Sequence, residues 1–183
     1  MAFGPIMRMK VGELDIELAP IAKEDLGVFV SPGMQQASVT RYLGVHGAPI
    51  IEDEEEWHAK TRAAKDSLVW GVWDVSADER LLIGSTALNS ITKDHTVQAT
   101  SGSLIAHKAY WGKGIASAIH KARTWYAFEQ LGMTRIKSAV FHGNIASRKA
   151  LEKSGYALVY VERNTIFTEG KLRHQDNLEC LNP

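Results

Sequence analysis

Two glycines one residue apart, Gly112 and Gly114, separate a strand-like stretch from a run with helical period. Glycine costs about 1 kcal/mol relative to alanine inside a helix, so two of them at the mouth of one need a reason. Residues 99–106 read as a strand. Residues 113–131 read as a long helix in which Ile115, Ile119, Ala122 and Tyr126 share one face, and Gly132 ends it. The opening turn of a helix leaves N–H groups without partners, and these attract phosphate oxygens. Gly112 and Gly114 remove side chains where such a backbone must approach a ligand, and Lys113 adds positive charge. The junction therefore suits a diphosphate.

Three kinds of phosphate loop compete for it. A P-loop needs GxxxxGK followed by Ser or Thr, but here Gly114 follows Gly112-Lys113. The dinucleotide fingerprint GxGxxG fails at its last position, where Ser117 stands, and no acidic ribose ligand ends a strand about 20 residues on. The third kind is the coenzyme A loop considered below.

Elsewhere the pattern mixes strands and helices. Residues 14–18 alternate apolar and acidic side chains, as a strand with one buried face does. Short helices are expected at 23–30 and 36–43, and a longer one at 53–65, whose acidic start suits the macrodipole. Residues 68–75 and 81–91, joined through Asp78-Glu79, read as an antiparallel hairpin. After the long helix come a strand at 135–141, a helix at 144–154 and a strand at 156–163, and segments 166–172 and 177–181 close the sheet. With no repeat or linker in view, one domain spanning residues 1–183 is expected. Its class is α+β, a three-layer arrangement with a mixed, mostly antiparallel central sheet and helices on both faces.

Formal net charge is zero, so no whole-chain field draws nucleic acid or an anionic membrane, and no direct nucleic-acid binding is expected. No apolar run reaches the roughly 18 residues a membrane span needs, and the first residues do not read as a signal peptide. The single cysteine, Cys180, rules out an internal disulfide and fits a cytoplasmic location. No histidine or cysteine spacing suits a metal, and none is expected.

The stretch Tyr110-Trp111-Gly112-Lys113-Gly114-Ile115-Ala116 resembles the coenzyme A loop of GNAT acetyltransferases, in the RimJ/RimL-like branch that acetylates ribosomal-protein N-termini. Asn144-Ile145-Ala146-Ser147, followed by Lys153-Ser154-Gly155-Tyr156, resembles the second GNAT signature. The same residues have local roles of their own: Asn144 is a good N-cap, and Gly155 a good residue just past a helix end. The resemblance implies a GNAT fold in which two strands beside the signatures part and the pantetheine arm of acetyl-CoA enters the gap. It implies backbone pairing of that arm with Leu104, Ile105 and Ala106. The diphosphate would lie on Trp111, Gly112, Lys113, Gly114, Ile115 and Ala116, with Asn144, Ser147 and Lys149 also at the cofactor. Asp176 takes a structural role.

The reaction expected is attack of a neutral amine on a thioester, with Ser147 as proton donor to the leaving thiolate and Asn144 orienting the reacting arm. Branch members often carry Glu-x-Gly-Tyr before the glycine loop. Here that stretch is Thr100-Ser101-Gly102-Ser103, so the usual acidic base is absent. An α-amine titrates near 7.7–8.0 and a lysine near 10.4, so at pH 7 about a tenth of the former is neutral and about one part in 2,500 of the latter. A weak base is more tolerable for an α-amine, and a protein N-terminus is the expected acceptor. A small amine such as an aminoglycoside or polyamine is the alternative, and a non-catalytic acyl-CoA-binding module the rival from another class. Arg41, Tyr42, Asn89 and Thr100 are candidates for the acceptor cleft, and a homodimer is admitted. His107, His142 and the acidic run 52–56 have bland roles available. Trp57, Trp70, Trp73 and Trp125 are expected in the core or a groove wall.

Overall fold

The computed structural model describes residues 2–44 and 47–183. Its spine is the strand Leu68–Asp74, whose first six residues are all buried because helices cover both of its faces. Side chains alternate across the sheet. Trp70 and Val72 join one apolar cluster with Ile16, Leu18, Ile83 and Ile136, while Val69 and Trp73 join a second with Ile21, Leu26, Phe29 and Leu82.

Among the described residues, eight strands make one sheet: β1 Met7–Val11, β2 Leu14–Ala19, β3 Leu68–Asp74, β4 Leu81–Lys93, β5 Val97–Ile105, β6 Arg135–Phe141, β7 Ala157–Thr168 and β8 Lys171–Leu181, ordered β1-β2-β3-β4-β5-β6-β8-β7. Neighbours run antiparallel except β5 and β6, which are parallel. A parallel pair needs a crossover, supplied by the helix α3, Ile115–Glu129. Ile115, Ile119 and Ala127 of α3 pack on the first cluster, as does Leu151 of α4, Ile145–Glu152. The opposite face carries α2, Ile51–Ala63, through Trp57. The one-turn helix α1, Ala37–Thr40, precedes it.

Expected elements recur with shifted bounds, and some differ in kind. The 23–30 segment is a 3-10 turn, Lys23–Asp25, followed by a π-helical stretch, Phe29–Met34. The 36–43 helix shrinks to α1, and β1 is a strand that the alternation starting at Leu14 did not include. The three terminal segments are instead one long hairpin, β7 and β8. Bulges between Leu158 and Tyr160 and between Glu162 and Ile166 break their alternation, which is why pattern alone cut them short. Trp70 and Trp73 are buried and Trp57 half-buried, but Trp125 is 54% exposed and belongs to no core.

Candidate active site

β5 and β6 pair only over four residues, from Gln98↔Arg135 to Ser101↔Ser138. Beyond that the strands separate, while β5 stays paired to β4 as far as Ile105↔Gly84. The Ser138 hydroxyl donates to the Ser101 carbonyl (3.4 Å) at the point of separation. Further out, the Trp111 indole N–H donates to the Ile105 carbonyl at 2.8 Å. Ser101 and Ile105 thus turn their carbonyls toward the β6 side, and the strand period of two puts the Ser103 backbone groups there as well. The Ala106 amide faces the other way and is held by the Ile83 carbonyl at 2.8 Å. Of the expected trio Leu104, Ile105 and Ala106, only Ile105 turns its backbone to the gap; Ser103, not anticipated, does so too.

The gap opens on the glycine loop. A short 3-10 turn, Lys108–Tyr110, leads to Trp111. Gly112 has φ +76° and Gly114 φ +84°, a region costly to residues with a Cβ. Space is not the constraint, since a Cβ at Gly112 would meet nothing within 4 Å. Among the described residues, the N–H groups of Gly112, Lys113 and Gly114 donate to no backbone carbonyl. Gly114 caps α3 without a side-chain bond. Ile115 is buried in the core, so only its backbone is available to a ligand, and Ala116 is half-buried.

Lys113 lies over the Tyr110 ring, 5.3 Å from its centroid, and the Tyr110 hydroxyl donates to Asp74 (2.7 Å). Burial, with the Asp74 bond and charge, pushes the Tyr110 phenol up to about 12. Burial alone would raise Asp74, but hydrogen bonds from Ser76 and Tyr110 and the Lys113 charge outweigh it and hold that carboxyl below its ordinary value. The turn under the loop is therefore fixed by a bonded pair that stays intact through neutral pH.

The opposite wall carries Asn144 and Ser147. Asn144 caps α4 by accepting from the Ser147 amide at 3.3 Å, and both side chains are half-buried. Past the end of α4, Gly155 has φ +90°, and the Tyr156 amide returns to the Leu151 carbonyl at 3.1 Å. Asp176 of β8, 2% exposed, moors this wall. It takes Arg148 Nη1 of α4 at 2.8 Å and lies 3.0 Å from His142 Nδ1. Burial would raise its carboxyl, but these two partners hold it below the usual carboxylate range. Lys149 is exposed on the outer face of α4.

Arg41 and Tyr42 also reach this wall. The Tyr42 hydroxyl donates to the Gly143 carbonyl (3.4 Å), the Arg41 guanidinium stacks on the Tyr42 ring, and the Arg41 carbonyl accepts from Thr168 of the β7–β8 hairpin. Asn89 and Thr100 stand apart from them as exposed cross-strand partners on β4 and β5, below the separation. A bulge follows, with Ser90 at φ +51°. His107 is half-buried and packs edge-on to Tyr110.

One cluster was not anticipated. Under the free half of β5, Ser103 Oγ meets His120 Nε2 at 3.1 Å and Arg123 Nη1 at 2.9 Å, both from α3. Burial, then the charge of Arg123, drive His120 down to about 3, so it takes up no proton near neutrality and is no base despite its serine partner. The signal was in the helix: Arg123 follows Ile119 by four residues and so falls on the core stripe.

The acetyltransferase (GNAT) domain matches residues 15–157. "Probable N-acetyltransferase YjcK" of Bacillus subtilis (strain 168) is 29% identical over 133 residues, 73% of this chain and 66% of that protein's length. Two solved structures share the fold. Spermidine N-acetyltransferase from Vibrio cholerae, in complex with CoA and spermine, has TM-score 0.80 at 20% identity, covering 91% of this chain and 95% of its own. Mycobacterium smegmatis RimJ, in complex with CoA-disulfide, has TM-score 0.85 at 16% identity, covering 96% and 86%. With the domain matched over well more than half of its length, the chain is an enzyme of the GNAT acetyltransferase family.

Proposed function

We propose that this enzyme, folded as one unit over residues 1–183, transfers acetyl from acetyl-CoA to a primary amine, foremost the α-amine of a protein N-terminus. The observation that carries the proposal is the separation of β5 from β6 beyond Ser101 and Ser138, opening onto N–H groups that have no backbone partner among the described residues. Those features fit a diphosphate-bearing thioester carrier. Ser103 and Ile105 would pair with its arm, Gly112 to Ala116 and Lys113 would hold the diphosphate, and Asn144 would bond the arm. Acetyl-CoA supplies the thioester-bound acetyl group.

Asn144 and Ser147 hold the reacting end; as the C–N bond forms and the C–S bond breaks, Ser147 gives its proton to the thiolate and regains one, by way of water, from the amine nitrogen as it becomes an amide. Thr100 brings no carboxylate, and His120 is locked neutral, so the amine must arrive deprotonated or lose its proton to water. A lysine would spend about 4.6 kcal/mol on that at pH 7, an α-amine about 1. Small polyamines are the second choice, favoured by the exposed carboxylates of Glu52 and Asp53 at the start of α2. Titration with CoA, followed by turnover of peptides with free N-termini against lysine side chains and polyamines, tests both levels. CoA binding and faster peptide N-terminal turnover are expected. No heat with CoA removes the carrier, and faster turnover of lysines or polyamines removes the acceptor.

A further inference from the structure

Arg123 is fully buried in the middle of α3, and among the described residues no carboxylate pairs with it. Its Nη1 donates to Thr86 Oγ1 at 2.7 Å, Ser103 Oγ at 2.9 Å and the Gly102 carbonyl at 3.1 Å, and its Nη2 donates to the Tyr156 hydroxyl at 3.3 Å. These acceptors sit on β4, on the first two residues of β5 past its last pairing with β6, and at the junction of α4 with β7. One planar guanidinium thus ties the free half of β5 to the far wall of the gap.

Stability gives no reason for the charge. A charge buried without a counter-ion carries a desolvation cost that its hydrogen bonds only offset, and even a buried ion pair replaced whole by apolar residues of similar volume is often neutral or more stable. The acceptors do not depend on it either. Thr86 and Ser103 hydroxyls lie 2.7 Å apart, Thr86 also reaches the Gly102 carbonyl (3.3 Å), and the Tyr156 hydroxyl has Thr124 at 3.1 Å. What only Arg123 does is hold all of these groups at once in the fixed geometry of its fork. Gly102, where a Cβ would meet nothing within 4 Å, brings no side chain to fix the strand on its β6 side, and only its pairing with Ala87 of β4 holds it from the other edge.

We infer that Arg123 is a positioning residue for acyl transfer: it fixes Gly102 and Ser103 at the distance from the β6 wall that the carrier's arm needs. The role rests on the gap being the carrier's slot. Arg123→Met tests it through the thermal midpoint, the calorimetric Kd for CoA, and kcat with the best amine. The variant is expected to fold and bind CoA within about threefold of wild type, since the diphosphate grip lies on the glycine loop. Its kcat should fall by about tenfold or more, because small misplacements near the reacting atoms are costly in rate. Arg123→Lys, a point charge without the fork, should recover only part of the loss, and Ser103→Ala should lose kcat in the same direction by less.

A folded Arg123→Met with kcat within about twofold of wild type overturns the role, as does a loss confined to the Kd for CoA. If that variant does not fold, Ser103→Ala and Tyr156→Phe decide: unchanged kcat in both overturns it, and lowered kcat at unchanged Kd upholds it. Wild-type protein that gives no heat with CoA would instead remove the slot itself, and the role with it.

Discussion

At the scale of single residues, two side chains carry chemistry that experiment can isolate. Ser147 loses only a hydroxyl in Ser147→Ala, and its amide, the group bonded to Asn144, remains. The cap on α4 should therefore survive, with an unchanged melting temperature, while kcat drops by about 100-fold if the hydroxyl is the proton donor. Steady-state rates beside a thermal melt check this.

His120 predicts the acid limb of stability. Its folded value near 3 lies below the ordinary histidine value near 6.5, so between those limits the unfolded chain holds a proton that the folded one lacks. Stability should fall by up to about 1.4 kcal/mol per pH unit as pH drops through that window. Thermal midpoints from pH 7 to 4.5 measure it, and His120→Leu should flatten the slope. The glycines and Asn144 were legible in the sequence because their backbone roles demand those residue types. His120 and Arg123 were not, because a polar residue on a core stripe shows its meaning only when the strand it meets is known.

At the scale of elements, the mooring of α4 is the part most open to perturbation. Asp176→Ala removes the acceptor shared by Arg148 and His142, on a helix of only eight residues. The expected cost is about 2 kcal/mol, since hydrogen bonds to charged groups are among the stronger ones. A chemical-denaturation midpoint reads it, and kcat should fall with it, because Asn144 and Ser147 ride on that helix. Asp176→Asn, which keeps one acceptor oxygen, should lose less. The periodic elements, α3 and β6 above all, were readable from the sequence to within two residues. The β7–β8 hairpin and the 23–43 segment were not, since bulges and π-helical turns carry no fixed period.

At the scale of the whole molecule, β7 is an edge strand whose Leu158, Val159, Tyr160 and Val161 are all at least 41% exposed. Unpaired backbone beside apolar side chains is a template for another strand. With a sequence pI near 7.1, repulsion between copies is weakest near neutral pH. Concentration-dependent self-association is expected there, and Val159→Lys should suppress it while leaving CoA binding intact; sedimentation velocity from pH 7 to 9 distinguishes the cases. A distribution identical for both proteins at every concentration would show that the edge is inert. The mixed sheet and its two helical layers were legible from the order of elements, antiparallel strands first and then strand-helix-strand-helix-strand, even though β3 buries six residues in a row without alternation. The parting of β5 from β6 was legible only through the resemblance carried by the two signatures, because separation of two strands leaves no mark on either strand's own pattern.

The indole of Trp111 spans the mouth of that opening, 44% exposed yet bonded through its nitrogen to the Ile105 carbonyl. Trp70 and Trp73 are sealed in the interior and should emit alike whatever occupies the opening. Trp111 is different: anything seated along β5 must lie beside it. The chain therefore comes with its own optical reporter, and the colour of its emission should register occupancy in real time without a dye or a coupled assay.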